Sequence, residues 1–397
     1  MKSEWKTIRA DEFCSLVTDG THDSPKPQAA GRKLITSKHL KGYYLDFESA
    51  NWISSEDYEK VIARSSVEQW DILYSMIGTI GNVYLEKNPV VDYACKNVGI
   101  FKFGGNCNKA YWMYYYLKSP QAMEFIKAHL RGTTQLYVPL ATLREMPVPV
   151  PDEEEMNKIV AILRTLDDKI QCSIKINDNL EQQAVTYFQE LYINNANPMW
   201  QIGTISDLGT VVGGSTPSKT KPEYYTNNGI AWITPKDLSI NKSKFISHGE
   251  NDITELGLKN SSATVMPKGT VLFSSRAPIG YIAIASNEVT TNQGFKSVVP
   301  YLEIGTAFVY FFLKHSLPVI ESAASGSTFK EISGSAMKNI PAIIPDRSTL
   351  DQFNSFCAPI FAQQKILEDQ NYSLAMLRDS LLPKLMSGAI DIASIQL

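Results

Sequence analysis

The sequence predicts a mixed α/β protein in which two globular α/β domains are separated by two long helices. Three observations support this prediction: short matches between the two halves of the chain, a proline-rich segment closing each globular stretch, and a long helical pattern after each such segment. The predicted domains are 1–151 and 196–345, and the predicted helices are 152–195 and 346–397. The chain therefore looks like an internal repeat with pseudo-twofold symmetry.

Five short matches recur in the same order in both halves of the chain. They pair Ile35–Leu40 with Ile233–Leu238, Leu73–Ser75 with Leu272–Ser274, Tyr114–Lys118 with Tyr310–Lys314, Gly132–Thr134 with Gly326–Thr328, and Pro147–Asp152 with Pro341–Asp346. Their offset stays between 194 and 199 residues, which chance matches would not do. The halves share a fold but have diverged in most side chains.

Both globular stretches mix short strand-like runs, such as Gly99–Phe103 and Tyr281–Ala285, with turn signals. Each also contains a helix-like stretch with aromatic spacing, at Ala110–Lys118 and Ala307–Lys314. Such rings can form a core or provide platforms for base stacking, and a core is the commoner outcome. The pattern predicts an α/β or α+β domain of about 150 residues in each half.

A long helix is predicted after each proline-rich segment. Asp152 and the three glutamates that follow it place negative charge in the first turn, which the helix dipole favours. An apolar stripe with coiled-coil spacing follows in each copy. The first stripe comprises Ile159, Leu163, Leu166, Ile170, Asn177, Leu180, Ala184 and Leu191; the second, interrupted by Gln364 and Arg378, comprises Phe353, Cys357, Ile360, Leu367, Asn371, Leu374, Leu381 and Leu385. The first helix should span about 40 residues, roughly 60 Å, and the second helix is the obvious partner for its narrow apolar face.

Asn177 and Asn371 occupy equivalent positions on these two stripes. A buried asparagine in a coiled coil costs stability but favours one register and orientation over others. We therefore interpret the pair as setting the register of the helices. The alternative is that both amides face solvent at the edge of the stripe.

The net charge of −3 hides a difference between segments. Residues 152–195 contain 9 acidic and 4 basic residues, and residues 346–397 contain 6 and 4, so the helices carry −7 and the globular domains carry +4. This excess permits DNA binding but is much smaller than the basic patch of a non-specific DNA-binding protein.

Composition argues for a globular protein of the cytoplasm. The longest apolar stretches, such as Ala307–Leu313, are too short to cross a bilayer, so no membrane partner is expected. The first residues are polar and lack the apolar core of a signal peptide. The five cysteines form no CxxC pair and are expected to be reduced, buried thiols.

Several polar loops recur in both halves and are the candidate DNA-binding sites. The candidate residues of the first domain are Thr21, His22, Lys38, His39, Ser75, Thr79, Arg131, Thr133, Thr134 and Gln135. Those of the second domain are Ser215, Thr216, Ser218, Lys219, Lys236, Ser275, Arg276, Ser327, Thr328 and Lys330. Their hydroxyls, amides and cations can bond phosphates and base edges. The alternative is that these residues were selected for turn geometry.

Motifs for catalysis are incomplete. Gly213–Thr220 resembles a phosphate-binding loop but lacks the glycine before its lysine, and Asn197–Trp200 lacks the second proline of an adenine methyltransferase motif. The five histidines have no spacing suited to a metal site, and no nucleophile–base pair is visible. We therefore predict a binding protein with no catalytic residue, no metal and no cofactor of its own.

The run Leu377–Gly388 closely resembles the end of type I restriction–modification specificity subunits, in which Leu-Leu-Pro-Lys-Leu-Met-Ser-Gly closes the distal conserved helix. The resemblance covers the whole chain. It includes Trp5–Ile8 with its echo Trp200–Ile202, the loop Asp19–His22, the proline-rich exits and the two helices. The first helix has only a degenerate version of the closing motif, Ala184–Leu191.

This resemblance implies a specific architecture and function. Such subunits carry two target-recognition domains, each reading one half of a split, asymmetric site in double-stranded DNA, and an antiparallel helix pair that acts as a ruler for the unread spacer. The pair also binds two methyltransferase subunits, which use S-adenosylmethionine, and two ATP-driven restriction subunits can join. A helix of roughly 60 Å exceeds one turn of duplex, about 34–36 Å, so domains at its ends could contact separated grooves.

Two other classes of function stay open at this stage. The chain could be a coiled-coil adaptor whose paired domains bind protein, which predicts no salt-dependent affinity for DNA even with a methyltransferase present. It could also be a methyltransferase or nuclease itself, which the incomplete motifs disfavour. Methylation of DNA by the purified chain alone would support that last possibility.

Overall fold

The computed structural model describes residues 5–326, 330–390 and 392. The chain forms two structural units. Unit 1 comprises Met1–Ile170 and Ser373–Leu397, and unit 2 comprises Gln171–Tyr372. Each unit thus combines one globular α/β part with portions of both long helices. The predicted four-part division at 151, 195 and 345 stays a prediction.

The globular part of unit 1 contains nine strands and six short helices among its described residues. The strands are Lys6–Arg9, Leu16–Asp19, Arg32–Thr36, Asn51–Ile53, Ile72–Ser75, Val83–Leu85, Tyr93–Lys96, Val98–Lys102 and Pro147–Val150. The helices are Ala10–Phe13, Ser37–His39 (3-10), Ser55–Ser65, Cys107–Leu117, Pro120–Ala128 and Leu140–Glu145.

Unit 1 has a two-stranded sheet, formed by Lys6–Arg9 and Pro147–Val150, and two larger sheets. An antiparallel sheet has the strand order Leu16–Asp19, Val98–Lys102, Ile72–Ser75, Val83–Leu85. A second sheet pairs Arg32–Thr36 with an antiparallel and a parallel neighbour, Asn51–Ile53 and Tyr93–Lys96. Because Tyr93–Lys96 and Val98–Lys102 are consecutive, the turn at Asn97 joins the two sheets. Asn97 has a φ of 52°, in the left-handed region that asparagine tolerates.

The aromatic stretch of unit 1 forms part of its core. Asn106 accepts the backbone N–H of Lys109 and so caps the helix Cys107–Leu117. Trp112 and Tyr115 on this helix are at most 1% exposed. They pack in one cluster with Leu163 from the first long helix and Leu385 from the second. The globular part is thereby attached to the helix segments of its own unit.

Unit 2 repeats this organisation with more strands. Its strands are Gln201–Thr204, Gly209–Gly213, Tyr225–Thr226, Ile230–Ile233, Phe245–Ile246, Asn251–Ile253, Val271–Ser275, Ile279–Ala285, Thr290–Thr291, Lys296–Pro300 and Pro341–Ile344. Its short helices are Ile205–Leu208, Pro222–Tyr224 (3-10), Pro235–Ile240, Glu255–Lys259, Thr306–His315, Leu317–Ser322 and Gly334–Lys338. The strands form a five-stranded, a four-stranded and a two-stranded sheet.

The core of unit 2 is also aromatic. Phe308 and Phe312 from the helix Thr306–His315 pack with Phe188 of the first long helix and Phe353 of the second. The mixed α/β fold class is confirmed. Within the described residues, no helix combines the length and apolar character needed to cross a bilayer.

The two long helices run through both units. The first is Glu153–Phe188, followed by a π-helical segment, Gln189–Asn194. Its 36 residues correspond to about 54 Å. The second is Arg347–Met386, and it continues through Pro359 and Pro383. Cys357 and Ile360, on either side of Pro359, are both buried in the core of unit 2.

Candidate nucleic-acid interface

In unit 1, five polar loops meet where the two sheets join. They comprise residues 19–24, 36–39, 75–81, 96–97 and 131–138. The hydrogen bonds between them run from Thr21 N to Cys95 O (2.9 Å), Ser37 Oγ to Asn97 O (3.0 Å), Ile77 N to Ser37 Oγ (3.4 Å) and Val138 N to Met76 O (2.9 Å). We call this surface the unit 1 loop face. Loops far apart in sequence thus present their polar side chains together.

Most predicted contact residues of unit 1 are exposed on this face. They are His22, Lys38, Thr79, Arg131, Thr133, Thr134 and Gln135. Three others, Thr21, His39 and Ser75, are buried. Burial disfavours direct contact of these three side chains with DNA, and their role as DNA contacts stays a prediction.

The buried candidates shape the loops instead. The Ser75 hydroxyl donates to the carbonyl of Thr79 and accepts the backbone N–H of Asn82, which closes a turn. The His39 ring accepts the backbone N–H of Thr36 at Nδ1 (2.9 Å), and burial lowers the pKa of His39. For these residues the turn-geometry interpretation holds.

Unit 2 has a corresponding set of loops. The hydrogen bonds that join them run from Ser215 N to Thr291 O (2.9 Å), Asn292 N to Ile233 O (3.0 Å), Ser275 N to Gly294 O (2.8 Å) and Ile332 N to Ser275 O (3.1 Å). We call this surface the unit 2 loop face. It exposes the predicted residues Ser218, Lys219, Lys236 and Lys330, and half-buries Ser215, Thr216 and Arg276.

Some predicted residues of unit 2 differ from expectation. Ser275 is buried, which disfavours direct contact with DNA, and its role as a DNA contact stays a prediction. Its neighbour Ser274 closes a turn by donating to the carbonyl of Pro278. Ser327 and Thr328 lie outside the described residues. Lys236 forms an ion pair with Glu250 at 2.6 Å, so part of its charge is already balanced.

The structure also shows residues that the sequence analysis missed. Asp19, whose side chain is only 4% exposed, lies between Arg64 (Nη2 to Oδ1, 2.9 Å) and His22 (Nε2 to Oδ2, 3.0 Å). The other ring nitrogen of His22 is 2.8 Å from Asn97 Oδ1. Arg64 lies on the helix Ser55–Ser65, outside every predicted loop, so only the tertiary contact reveals it. On the unit 2 loop face, Thr216 Oγ1 donates to Gln293 Oε1.

Asn177 and Asn371 are half-buried on the long helices of unit 2. Their Oδ1 atoms are buried and have no hydrogen-bond partner. The alternative interpretation required both amides to face solvent, and these two oxygens do not. Their role in helix register stays a prediction.

A buried polar cluster attaches the globular part of unit 1 to its helix segments. Asp167, on the first long helix, accepts hydrogen bonds from Arg378 (2.8 Å), Tyr115 (3.1 Å) and Tyr43 (3.2 Å). The side chains of Asp167 and Arg378 are 6% and 13% exposed. Burial and the Asp167 carboxylate raise the pKa of Tyr43 to about 12. We call these residues the unit 1 cluster.

A different buried cluster attaches the globular part of unit 2 to its helix segments. Lys244, whose side chain is 6% exposed, donates to Glu181 of the first long helix and to Gln364 of the second (2.6 Å). Glu368 accepts the backbone N–H groups of Lys244 and Phe245. Burial lowers the pKa of Lys244 and raises that of Glu368. In this unit 2 cluster the globular part supplies the cation.

Metal chemistry has no support in the described part of the chain. There, no group of three or more His, Cys, Asp or Glu residues is arranged to hold a metal ion. The chemistry that these surfaces offer is hydrogen bonding from hydroxyls, amides and cations.

Comparisons with known proteins agree on one family. A family model described as the type I restriction modification DNA specificity domain matches residues 2–182 and 197–369. The type I restriction enzyme MjaIX specificity subunit of Methanocaldococcus jannaschii is 43% identical over 162 residues, which cover 40% of this chain and 37% of that relative. The HindI specificity subunit of Haemophilus influenzae is 23% identical, covering 83% of this chain and 88% of that relative.

A solved structure shares the fold. The crystal structure of the type I restriction–modification system S subunit from M. genitalium matches with a TM-score of 0.57 at 16% sequence identity. The match covers 97% of this chain and 99% of that chain.

Proposed function

Because the chain belongs to the type I restriction modification DNA specificity domain family, we propose that it is the DNA-recognition subunit of a type I restriction–modification enzyme. It has no catalytic role of its own and directs the methyltransferase and restriction subunits to a two-part, asymmetric DNA site. The observation that carries this proposal is the convergence of polar loops into one face in each unit. Hydroxyls, amides and cations gathered in this way suit contacts to phosphates and base edges.

The two loop faces are similar in construction but different in side chains. His22 and Asn97 stand on the unit 1 face where Thr216 and Gln293 stand on the unit 2 face. Two unlike surfaces on one chain suit a DNA site whose halves differ. Each unit would read one half-site.

The long helices would form an antiparallel pair that sets the spacer between the half-sites. In unit 1, the beginning of the first helix (Leu163) shares a core with the end of the second (Leu385). In unit 2, the end of the first helix (Phe188) shares a core with the beginning of the second (Phe353). Both cores support antiparallel pairing. A helix of about 54 Å is longer than one turn of duplex, about 34–36 Å.

The proposed partners follow from the family. Two methyltransferase subunits would bind S-adenosylmethionine and modify adenine, and two restriction subunits that use ATP would join them in the cytoplasm. The names of the M. jannaschii and H. influenzae relatives, both specificity subunits of type I restriction enzymes, support this assignment. This chain would bind neither cofactor.

The test is to map methylated adenines in DNA from a host that expresses this chain with its methyltransferase partner. We expect a motif of two different halves separated by a spacer of fixed length. The matched control is the methyltransferase alone, which should give no such motif. A continuous motif, or no motif, would contradict the proposal. So would a complex with the methyltransferase that shows no salt-dependent affinity for DNA, which is the result expected of a protein adaptor.

A further inference from the structure

Resting on the proposed function, we infer that Arg64 reads a guanine in the half-site of unit 1, and that Asp19 positions it. Arg64 and His22 flank the Asp19 carboxylate, one at each oxygen, at 2.9 and 3.0 Å. The Asp19 side chain is 4% exposed, whereas those of Arg64 and His22 are 58% and 65% exposed. A buried carboxylate thus holds two exposed side chains at the rim of the unit 1 loop face.

This arrangement is fixed from several sides. Asp19 ends a strand of the antiparallel sheet, where it pairs with Gly99. Gly20 packs so closely on the backbone of Cys95 that a Cβ would lie 2.3 Å from its carbonyl oxygen. Any side chain at position 20 would displace this loop. The Asp19 carboxylate that holds Arg64 is therefore itself fixed in position. Because Arg64 is held in this way, its side chain loses less conformational entropy on binding DNA.

The chemistry of Arg64 suits a base edge. A guanidinium has five N–H donors, and the hydrogen bond from Arg64 to Asp19 is donated by Nη2. The remaining exposed donors match the paired acceptors O6 and N7 of guanine in the major groove. A carboxylate that holds an arginine in one orientation favours such bidentate contact over a mobile one.

The charges nearby favour a base over a phosphate. The Asp19 carboxylate pairs with Arg64 and balances its charge, and the exposed Asp23 lies in the same loop as Asp19, so this loop adds no excess of positive charge. Lys96 Nζ donates to Ser24 Oγ. Phosphate binding depends on an excess of positive charge, whereas base reading depends on directional donors. This corner offers directional donors and lacks an excess of positive charge.

The same feature is absent from the matching place on the unit 2 loop face. Gly213 stands there in the position of Asp19. The arginine–carboxylate pair of the unit 2 loop face lies elsewhere, between Arg276 and Glu331 (3.3 Å). The neutral pair Thr216 and Gln293 replaces His22 and Asn97. Loss of Arg64 should therefore affect one half-site only.

The experiment uses the full chain in complex with its methyltransferase partner. Variants Arg64→Ala, Arg64→Lys and Asp19→Asn are compared by methylation mapping and by DNA affinity at several salt concentrations. Lys60→Ala is the matched control, since Lys60 lies one turn earlier on the same helix and pairs only with exposed Glu56 in the described ion pairs.

We expect one guanine position in the unit 1 half-site to become degenerate in Arg64→Ala, with about a 10- to 100-fold loss of discrimination. Arg64→Lys should relax the same position, because an ammonium cannot make the bidentate contact. Asp19→Asn should relax it less. The other half-site should keep its full specificity, which also shows that the variants are folded, and Lys60→Ala should match the parent.

Two outcomes would overturn the inference. Uniform loss of affinity with the motif unchanged, and a salt dependence reduced by about one charge, would make Arg64 a phosphate contact. If the motif and the affinity were both unchanged, Arg64 would not be part of the DNA interface. Failure of the proposed function looks different, because the parent complex itself would then yield no two-part motif.

Discussion

Asp167 illustrates how strongly one buried residue can depend on its partners. It accepts hydrogen bonds from Arg378, Tyr43 and Tyr115 in the unit 1 cluster. Removing Asp167 takes one hydrogen-bond partner from each of these three side chains. The neighbouring Asp168 is 49% exposed and pairs with Arg164 at 3.2 Å, so it provides a control of the same chemistry without the burial.

We predict that Asp167→Ala lowers the free energy of unfolding of unit 1 by about 3 kcal/mol, because Arg378 loses its buried partner and keeps only the exposed carboxylate of Asp379. Asp168→Ala should cost less than about 1 kcal/mol, as is usual for exposed ion pairs. Chemical denaturation followed by tryptophan fluorescence measures both. Equal effects of the two variants would show that the cluster adds nothing beyond a surface pair.

Single residues also show where sequence patterns lose their predictive power. Ser75 and His39 lie in polar loops and were predicted to contact DNA, yet both are buried parts of turns. The same hydroxyl or ring nitrogen can bond a phosphate or a backbone amide, so residue type does not distinguish the two roles. Arg64 is the opposite case, a candidate that the sequence pattern missed. Its candidacy depends on a contact with Asp19, which is 45 residues away in the chain.

The long helices are the elements that the sequence predicted best. The acidic first turn and the apolar stripe predicted the helix found at Glu153–Phe188. Gln364 and Arg378 looked like defects in the second stripe, but both are largely buried and bind partners in the clusters. Their partners, Lys244 and Asp167, lie 120 and 211 residues away, beyond any local pattern.

At this scale we predict that inserting one heptad into each long helix, after Ile170 in the first and after Tyr372 in the second, lengthens the accepted DNA spacer. Seven residues add about 10 Å, or about three base pairs, while the heptad keeps the phase of the apolar stripe. Methylation mapping of the variant complex measures the spacer. The half-site sequences should not change.

An insertion into one helix alone is the control for the spacer experiment. It leaves one helix unmatched and should reduce activity without defining a new spacer. A paired insertion that methylates the original spacer would show that the helices do not set the distance.

For the whole molecule, we predict that replacing residues 1–151 with the same segment of another family member changes one half-site and preserves the other. The reason is that the unit 1 loop face is built within this segment, while the unit 2 loop face lies at 213–332. Donors that retain tyrosines at positions 43 and 115 should keep the unit 1 cluster with Asp167. Methylation mapping of the chimera gives the result; a change in both halves, or in neither, would refute independent reading.

The mixed α/β fold followed from composition and periodicity, and most of the loops that meet in each face were among those predicted. The turn at Asn97 and its counterpart at Thr291–Gly294 were not. The division of the chain into units was not foreseen. Each long helix changes unit partway, at Ile170 and at Tyr372, because cores around Leu163 and Phe353 draw its ends to different globular parts. A continuous helical pattern contains no signal for such a boundary.

The two clusters differ in which cation pairs with the carboxylate of the first long helix. In unit 1, Asp167 pairs with Arg378 of the other long helix, and in unit 2, Glu181 pairs with Lys244 of the globular part. A domain moved from the second position to the first would carry there a lysine that bonds Glu181 and Gln364, neither of which it would find at the first position. Exchange of domains between the two positions of one chain should therefore need compensating changes in the helices, whereas exchange between chains at the same position should not.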